Sequence, residues 1–246
     1  MTILFYPDPL NQDCKLFQHL RNINVEFHND PTKPYDICFY WSYHKTVAPK
    51  IEIPNAINAG CYDITKTRIN TIFDNLIIDP FTYVGKAVKK GDGQCSKDEI
   101  LVNCPLKTKD NNSIYLRHID TFEDGMFTDY RIFYFGAISF ICIKRRFGGE
   151  FSRKEYNWVE MQLNCIPKKK RNEIEYKCKK FGFDCGEIDV LRDVNTDEFF
   201  VIDLNNVSGI AYNWNYPEQE RIRKRFENNL FNFLQAHFSA QSAHSH

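Results

Sequence analysis

The stretch from Gly186 to Asn206 constrains this chain more than any other. Two strand-like runs, 187–194 and 198–205, flank a short polar turn in the pattern of an antiparallel hairpin. Alternation on the second run puts Asp203 and Asn205 on one side and sends Ile202 and Leu204 toward the opposite layer. A carboxylate and an amide oxygen at i and i+2 form a compact pair of hard oxygens. A three-residue loop, Asn195-Thr196-Asp197, pairs Val194 with Glu198 and sets Asp189 opposite Asp203; a one-residue slip turns Asp189 to the other face. Asn and Asp tolerate the positive φ that such loops require. Asp189, Asp203 and Asn205 then converge as ligands suited to Mg²⁺, which takes a few protein oxygens and leaves its other positions to water and phosphate. An ordinary hairpin with a polar outer face has the same Asp-x-Asn spacing, so the rest of the chain must decide.

Lys plus Arg equals Asp plus Glu at 32 each in 246 residues, so no global field draws the chain to nucleic acid or to a membrane surface. Nine cysteines are an odd number, irregularly spaced and without a CxxC pair, unlike a disulfide framework or a zinc site. Free thiols fit a reducing compartment. The start, Met1 to Tyr6, is too short for a signal peptide, and the apolar run 133–143 is too short for a membrane span. These features predict a soluble, cytoplasmic protein.

The opening reads as strand 3–6, a helix capped at Asp8-Pro9 and running to about Asn22, and strands 25–28 and 37–41. Asp63 is placed to cap a second helix, 64–75. Strand 83–89 leads into a polar loop, 90–98, containing Gly91 and Gly93. Strand 114–119 follows, then a hairpin, 130–134 and 137–143, around Phe135-Gly136. A helix opening on Lys168-Lys169-Lys170-Arg171, a run that reads as a solvated helix start, reaches Phe181. A long helix runs from Pro217 to about His237, and the tail 239–246 is expected to be disordered.

Cations recur where a polyphosphate would need them. Arg supplies a rigid fork and Lys a point charge. Arg131, beside Asp129, is a candidate for a phosphate or substrate-carboxylate contact, or for a surface salt bridge. Of Arg145 and Arg146, which alternate faces, Arg146 is preferred; of Lys86 and Lys90, Lys90 is preferred and Lys89 faces the other way. Cys95 lies in the polar loop, but no His is arranged to activate it.

Asp189-Val190-Leu191 followed by Phe200 to Asn206 resembles the terminal hairpin of ATP-grasp enzymes, in which an acid precedes an acid-x-Asn. Upstream, Tyr115 to Asp120, Asp129 to Ile132 and Lys144 to Arg146 are similar to that family's run from adenine hinge to phosphate-contacting arginine. Asn58-Ala59-Gly60 with Asp63 to Lys66 resembles its opening helix, and Gly85 to Lys90 its nucleotide-binding lysine strand. The resemblance runs collinearly from about Asn55 to Leu234; the loop after Lys90 departs from it in having few glycines.

The resemblance implies an α+β ATP-grasp fold of two lobes, 56–114 and 115–238, clasping ATP behind a small α/β domain, 1–55. It implies an ATP- and Mg²⁺-dependent ligase that activates a carboxylate as an acyl phosphate and passes it to an amine or thiol. Its substrate would be a small molecule or peptide bearing the carboxylate, with an amine acceptor. Lys66, Lys86, Lys90, Arg117, His118, Ile119 and Asp129 would bind the nucleotide, Arg131 and Arg146 would act in catalysis, and Asp189, Asp203 and Asn205 would hold the metal. A kinase on the same fold and a non-catalytic nucleotide-binding module are the alternatives. Acceptor specificity would come from loops 147–158 and 208–216.

Overall fold

The computed structural model of the chain describes residues 1–42, 53, 55–74, 76–92, 99–151, 156–206 and 217–243. The glycine-bearing loop beyond residue 92, with Cys95, lies outside them, as do 152–155 and the loop 208–216. The chain opens with β1 (Thr2–Pro7), α1 (Lys15–Asn22), β2 (Glu26–His28) and β3 (Ile37–Trp41), a parallel sheet in the order β2-β1-β3. Helix α1 starts later than the Asp8-Pro9 cap predicts. Asp8 is engaged elsewhere: its N–H donates to Trp41 O at 3.1 Å and its carboxylate accepts from Ser42 Oγ at 2.9 Å, so Cys14 takes the cap position.

A 3₁₀ turn, Ala59–Tyr62, precedes α2 (Lys66–Ile72). Thr65, not Asp63, caps it: Thr65 Oγ1 accepts from Arg68 N at 3.3 Å, and Asp63 accepts from Thr65 one step further out. Next come β4 (Gly85–Gly91), β5 (Ile100–Cys104) and β6 (Ser113–Arg117), an antiparallel sheet in the order β5-β4-β6. Strand β6 ends at Arg117, so the lobe boundary expected at 114/115 cuts a strand. The large sheet is built from β7 (Phe122–Glu123), β8 (Met126–Phe135), β9 (Ile138–Arg146) and β10 (Tyr156–Met161). After α3 (Lys168–Phe181) it is completed by β11 (Cys185–Arg192) and β12 (Phe199–Asn205), in the order β10-β9-β8-β11-β12 with β7 paired to β8. Helix α4 (Pro217–Ala243) closes the chain. It passes Ser239, where a disordered tail was expected, because small and polar residues continue the helix; Ser239 Oγ donates to Gln235 O at 3.0 Å. None of the described helices is long and apolar enough to cross a membrane.

The large sheet has two different faces. On one, Ile132, Ile143, Ile188, Val190, Val201 and Leu204 pack with Ile174 and Phe181 of α3 and Ile69 of α2. On the other, Phe133, Phe140 and Cys185 meet Ile222, Phe226 and Leu230 of α4, together with Phe5, Leu16 and Phe39. The N-terminal parallel sheet therefore shares its larger core with the C-terminal helix, while Leu4, Tyr6 and Cys38 form a small cluster on its other face.

Asn58 fixes the relation of α2 to β11. It is fully buried with φ 60°; its Oδ1 accepts from Asp184 N and Cys185 N, and its Nδ2 donates to Cys185 O. Next to it, a Cβ on Gly60 would meet Phe181 O at 2.0 Å, so only glycine lets the two segments touch. Asn58→Ala strands the Cys185 and Asp184 N–H donors, the first buried and the second partly so, and is expected to lower unfolding free energy by about 3 kcal/mol. Urea unfolding checks this; a loss under about 1 kcal/mol contradicts the role given to Asn58.

Candidate active site

The polar half of the second sheet face carries the charges. Strands β8, β9 and β11 place Asp129, Arg131, Lys144, Arg146, Glu187 and Asp189 side by side; Arg131 lies opposite Asp189 across one strand pair, and Asp129 opposite Lys144 across the other. Strand β12 adds Asp203 and Asn205 by a different route from the three-residue loop. The loop is one residue longer, 194–197: Asp193 N donates to Glu198 O, and Asp197 takes φ 63°. That slip would leave Ile202 facing Asp189. A bulge at Ile202 absorbs it, since Val190 pairs with Val201 but Asp189 with Asp203. Leu204 points into the sheet's main core as expected. Ile202 does not: it packs with Phe200 in a small apolar cluster with Leu76, Leu116 and Ile119.

Arg131 sits at the centre of this face. Its Nε and Nη2 donate to Asp189 at 2.7 and 2.9 Å, and its Nη1 to Glu187, which is fully buried. Trp158 lies 5.3 Å from the guanidinium and 5.4 Å from the Lys144 ammonium. Among the described residues, three of the five N–H groups of Arg131 are thus engaged. Burial alone would raise the Asp189 carboxyl; Arg131 and Lys144 beside it, with hydrogen bonds from Arg131 and Asn205, outweigh that and hold it at about 2. Burial pushes Lys144 down and Asp129 up, the latter against the pull of Arg146 at 2.6 Å.

Two lysines from other elements converge on the end of this face. Lys66, at the start of α2 and buried, lies 3.7 Å from Asp203. Lys90, near the end of β4, is 7% exposed and has no ion-pair or hydrogen-bond partner among the described residues. Burial, then the neighbouring Lys66 charge, pushes its ammonium down. Asp92 accepts from Thr67 N and Oγ1, both at 2.9 Å, and so joins the start of α2 to the end of β4.

Other expected residues stand apart. Lys86 is exposed, and Lys89 pairs with Asp110 at 3.0 Å. Arg117 lies over Phe200 at 4.7 Å, and Ile119 is buried in the same apolar cluster. His118 Nε2 meets Glu150 at 2.6 Å, while Arg146 donates to the Glu150 carbonyl. Arg145 is exposed on the far side of β9 from Arg146. Glu187 and Lys144 were not singled out from the sequence, although each lies two residues from a residue that was.

The donor set fits Mg²⁺ at Asp203 and Asn205. Asn205 Nδ2 donates to Asp189 at 3.2 Å, and its amide oxygen accepts no hydrogen bond among the described residues. Both Asp189 oxygens already accept hydrogen bonds, so Asp189 orients Arg131 and Asn205 as well as facing Asp203. Among the described residues, no three His, Cys, Asp or Glu gather into a cage. An open pair leaves coordination positions to water and phosphate.

No protein-family model matches the chain, and no curated protein does. Solved structures do. The chain is similar to D-alanine–D-alanine ligase from Bacillus anthracis, with TM-score 0.57 and 11% identity over 99% of this chain and 98% of that one. It is similar to the ATP-grasp ligase PsnB complexed with minimal precursor, Mg and ADP, with TM-score 0.57 and 10% identity over 93% of this chain and 96% of that one. It is also similar to the macrocyclase MdnC bound with precursor peptide MdnA from Microcystis aeruginosa MRC, with TM-score 0.50 and 13% identity over 93% and 98% of the two chains. At these identities the likeness is one of fold: the chain has the α+β ATP-grasp fold.

The Asp189 carboxylate has a linked pH dependence. Its folded value lies below the ordinary one near 3.8, so the stability it contributes is present above about 4 and lost as pH falls through about 2. Wild type is expected to lose about 2 kcal/mol more than Asp189→Asn between pH 5 and pH 2. Urea unfolding across that range checks it; equal losses contradict the ion-pair assignment.

Proposed function

We propose that this chain is an ATP- and Mg²⁺-dependent ligase that joins a carboxylate to an amine or thiol. One observation carries the reading: buried Lys66 lies 3.7 Å from Asp203 of the Asp203–Asn205 oxygen pair, and buried Lys90, from a separate element, lies within the field of Lys66 and Asp203 with no ion pair or hydrogen bond among the described residues. A buried ammonium beside hard oxygens suits a polyphosphate and its metal.

In this reading Lys66 and Lys90 bind the phosphates. Ile119 and Phe200, in the apolar cluster between the small sheet and β12, flank the adenine, next to the backbone of Arg117 and His118. Asp203 and Asn205 would hold Mg²⁺, which would supply neutralisation of phosphate charge. The terminal phosphoryl group leaves ADP and bonds to a substrate carboxylate oxygen, giving an acyl phosphate. The acceptor nitrogen or sulfur then attacks the acyl carbon, inorganic phosphate leaves, and the acceptor proton is released. Arg131, rigid between Glu187 and Asp189, directs its guanidinium at charge developing on the transferred group. Arg146, held by Asp129 and Glu150, frames the same region. Of the neighbours named above, MdnC was solved with a precursor peptide and PsnB with a minimal precursor, which makes a peptide carboxylate the first substrate to test. The described cysteines are free thiols, which fits a reducing, cytoplasmic setting.

The test is ADP release from ATP and Mg²⁺ with and without pools of amino acids and peptides. ADP release that depends on both a carboxylate and an amine supports the ligase. A stable phosphorylated hydroxyl product means a kinase, and tight ATP binding with no turnover across broad pools means a binding module. Lys90→Met and Asp203→Asn are each expected to weaken Mg²⁺-dependent ATP binding at least tenfold, about 1.4 kcal/mol, with circular dichroism unchanged. Unchanged ATP affinity in both variants contradicts the site.

A further inference from the structure

The bulge at Ile202 decides whether Asp203 and Asn205 face the site, yet among the described strands β12 lies at the sheet edge, paired with β11 alone. Edge N–H groups need other partners, and a bulge there is free to slide unless something fixes it. The partner is Asp74, just beyond the end of α2. Its Oδ2 accepts from Val201 N at 2.5 Å, the residue immediately before the bulge. Its Oδ1 accepts from Lys170 Nζ at 2.7 Å, and Lys177 lies 3.8 Å away. Lys177 also donates to Phe73 O, so two α3 lysines grip the end of α2. The Asp74 side chain is 8% exposed. At the other end of the helix, Lys66 faces Asp203, and Asn70, fully buried, ties Lys66 O to Leu76 N.

We propose that Asp74 is a positioning residue: by holding the Val201 N–H and the end of α2 against α3, it fixes the bulge that aims Asp203 and Asn205 and sets Lys66 against them. The proposal rests on the metal assignment made above. Asp74 touches neither metal nor nucleotide; it acts through the register of β12. Without its carboxylate, Val201 N–H turns to water, and β12 gains freedom to shift by one residue, which carries Asp203 off the site face.

The experiment measures Mn²⁺ affinity by electron paramagnetic resonance, with a non-hydrolysable ATP analogue present, and thermal unfolding by circular dichroism. Four variants are compared with the full-length protein: Asp74→Ala, Asp74→Asn, Asp203→Asn and Leu230→Ala. Leu230 is buried in the α4 core away from the site, so its variant reports general destabilisation alone. Asp74→Ala is expected to weaken Mn²⁺ binding at least tenfold, Asp74→Asn about threefold, and Leu230→Ala not at all despite its lower melting temperature. If Asp74→Ala does not fold, Asp74→Asn against Leu230→Ala decides. Wild-type Mn²⁺ affinity in the folded Asp74 variants, with Asp203→Asn weakened, overturns the role of Asp74 and leaves the metal assignment standing. Wild-type affinity in Asp203→Asn overturns the metal assignment, and this inference with it.

Discussion

One extra residue in β12 governs the rest of the structure. Phe199 and Val201 face the core of the large sheet; with strict alternation, Asp203 and Asn205 would follow them into it. A carboxylate there would face Ile188, Val190 and Phe181, with no cation to compensate it. The bulge at Ile202 reverses the alternation once, so the same strand serves an apolar core in its first half and a charged face in its second. The four-residue turn and the bulge are a matched pair: each alone would misplace Asp189 relative to Asp203, and together they restore the pairing.

That charged face survives burial because its charges alternate. Glu187 and Asp189 are two residues apart on one side of one strand, where two carboxylates would repel. Arg131, from the neighbouring strand, lies between them, and Lys144 stands beside Asp189. Asp129 and Arg146 form the next pair along. Lys90 departs from this pattern: it is a buried cation within the field of Lys66, Asp203 and Asp189 but with no ion pair or hydrogen bond among the described residues, and the proposed polyphosphate site is built on it. The remaining supports join elements distant in sequence: Asn58 to β11, Asp92 to α2, and Asp74 to β12.

Much of this was legible from residue pattern. The i, i+2 spacing of Asp203 and Asn205 placed them on one face, and alternation separated Arg146 from Arg145 and Lys90 from Lys89. The same rule places Glu187 and Lys144, two residues from Asp189 and Arg146, on that face. The Asp124-Gly125 turn between β7 and β8, with both residues at positive φ, carries a local hairpin signal of the same kind. The bulge was not legible, because Asp74, which accepts from Val201, lies 127 residues away. Nor was the start of α1, because the carboxylate that would cap it is taken by Ser42. Local sequence carries periodicity; it does not carry which distant partner claims a polar group first.

The central claim is that Lys66, Lys90, Asp203 and Asn205 form one polyphosphate–metal site. A crystal structure with a non-hydrolysable ATP analogue and Mn²⁺, with the metal located by anomalous scattering, tests it most directly. The account predicts Mn²⁺ coordinated by the Asp203 carboxylate and the Asn205 amide oxygen, with the analogue's phosphates against the Lys66 and Lys90 ammonium groups. Mn²⁺ bound away from β12, or phosphates out of reach of Lys90, would contradict it.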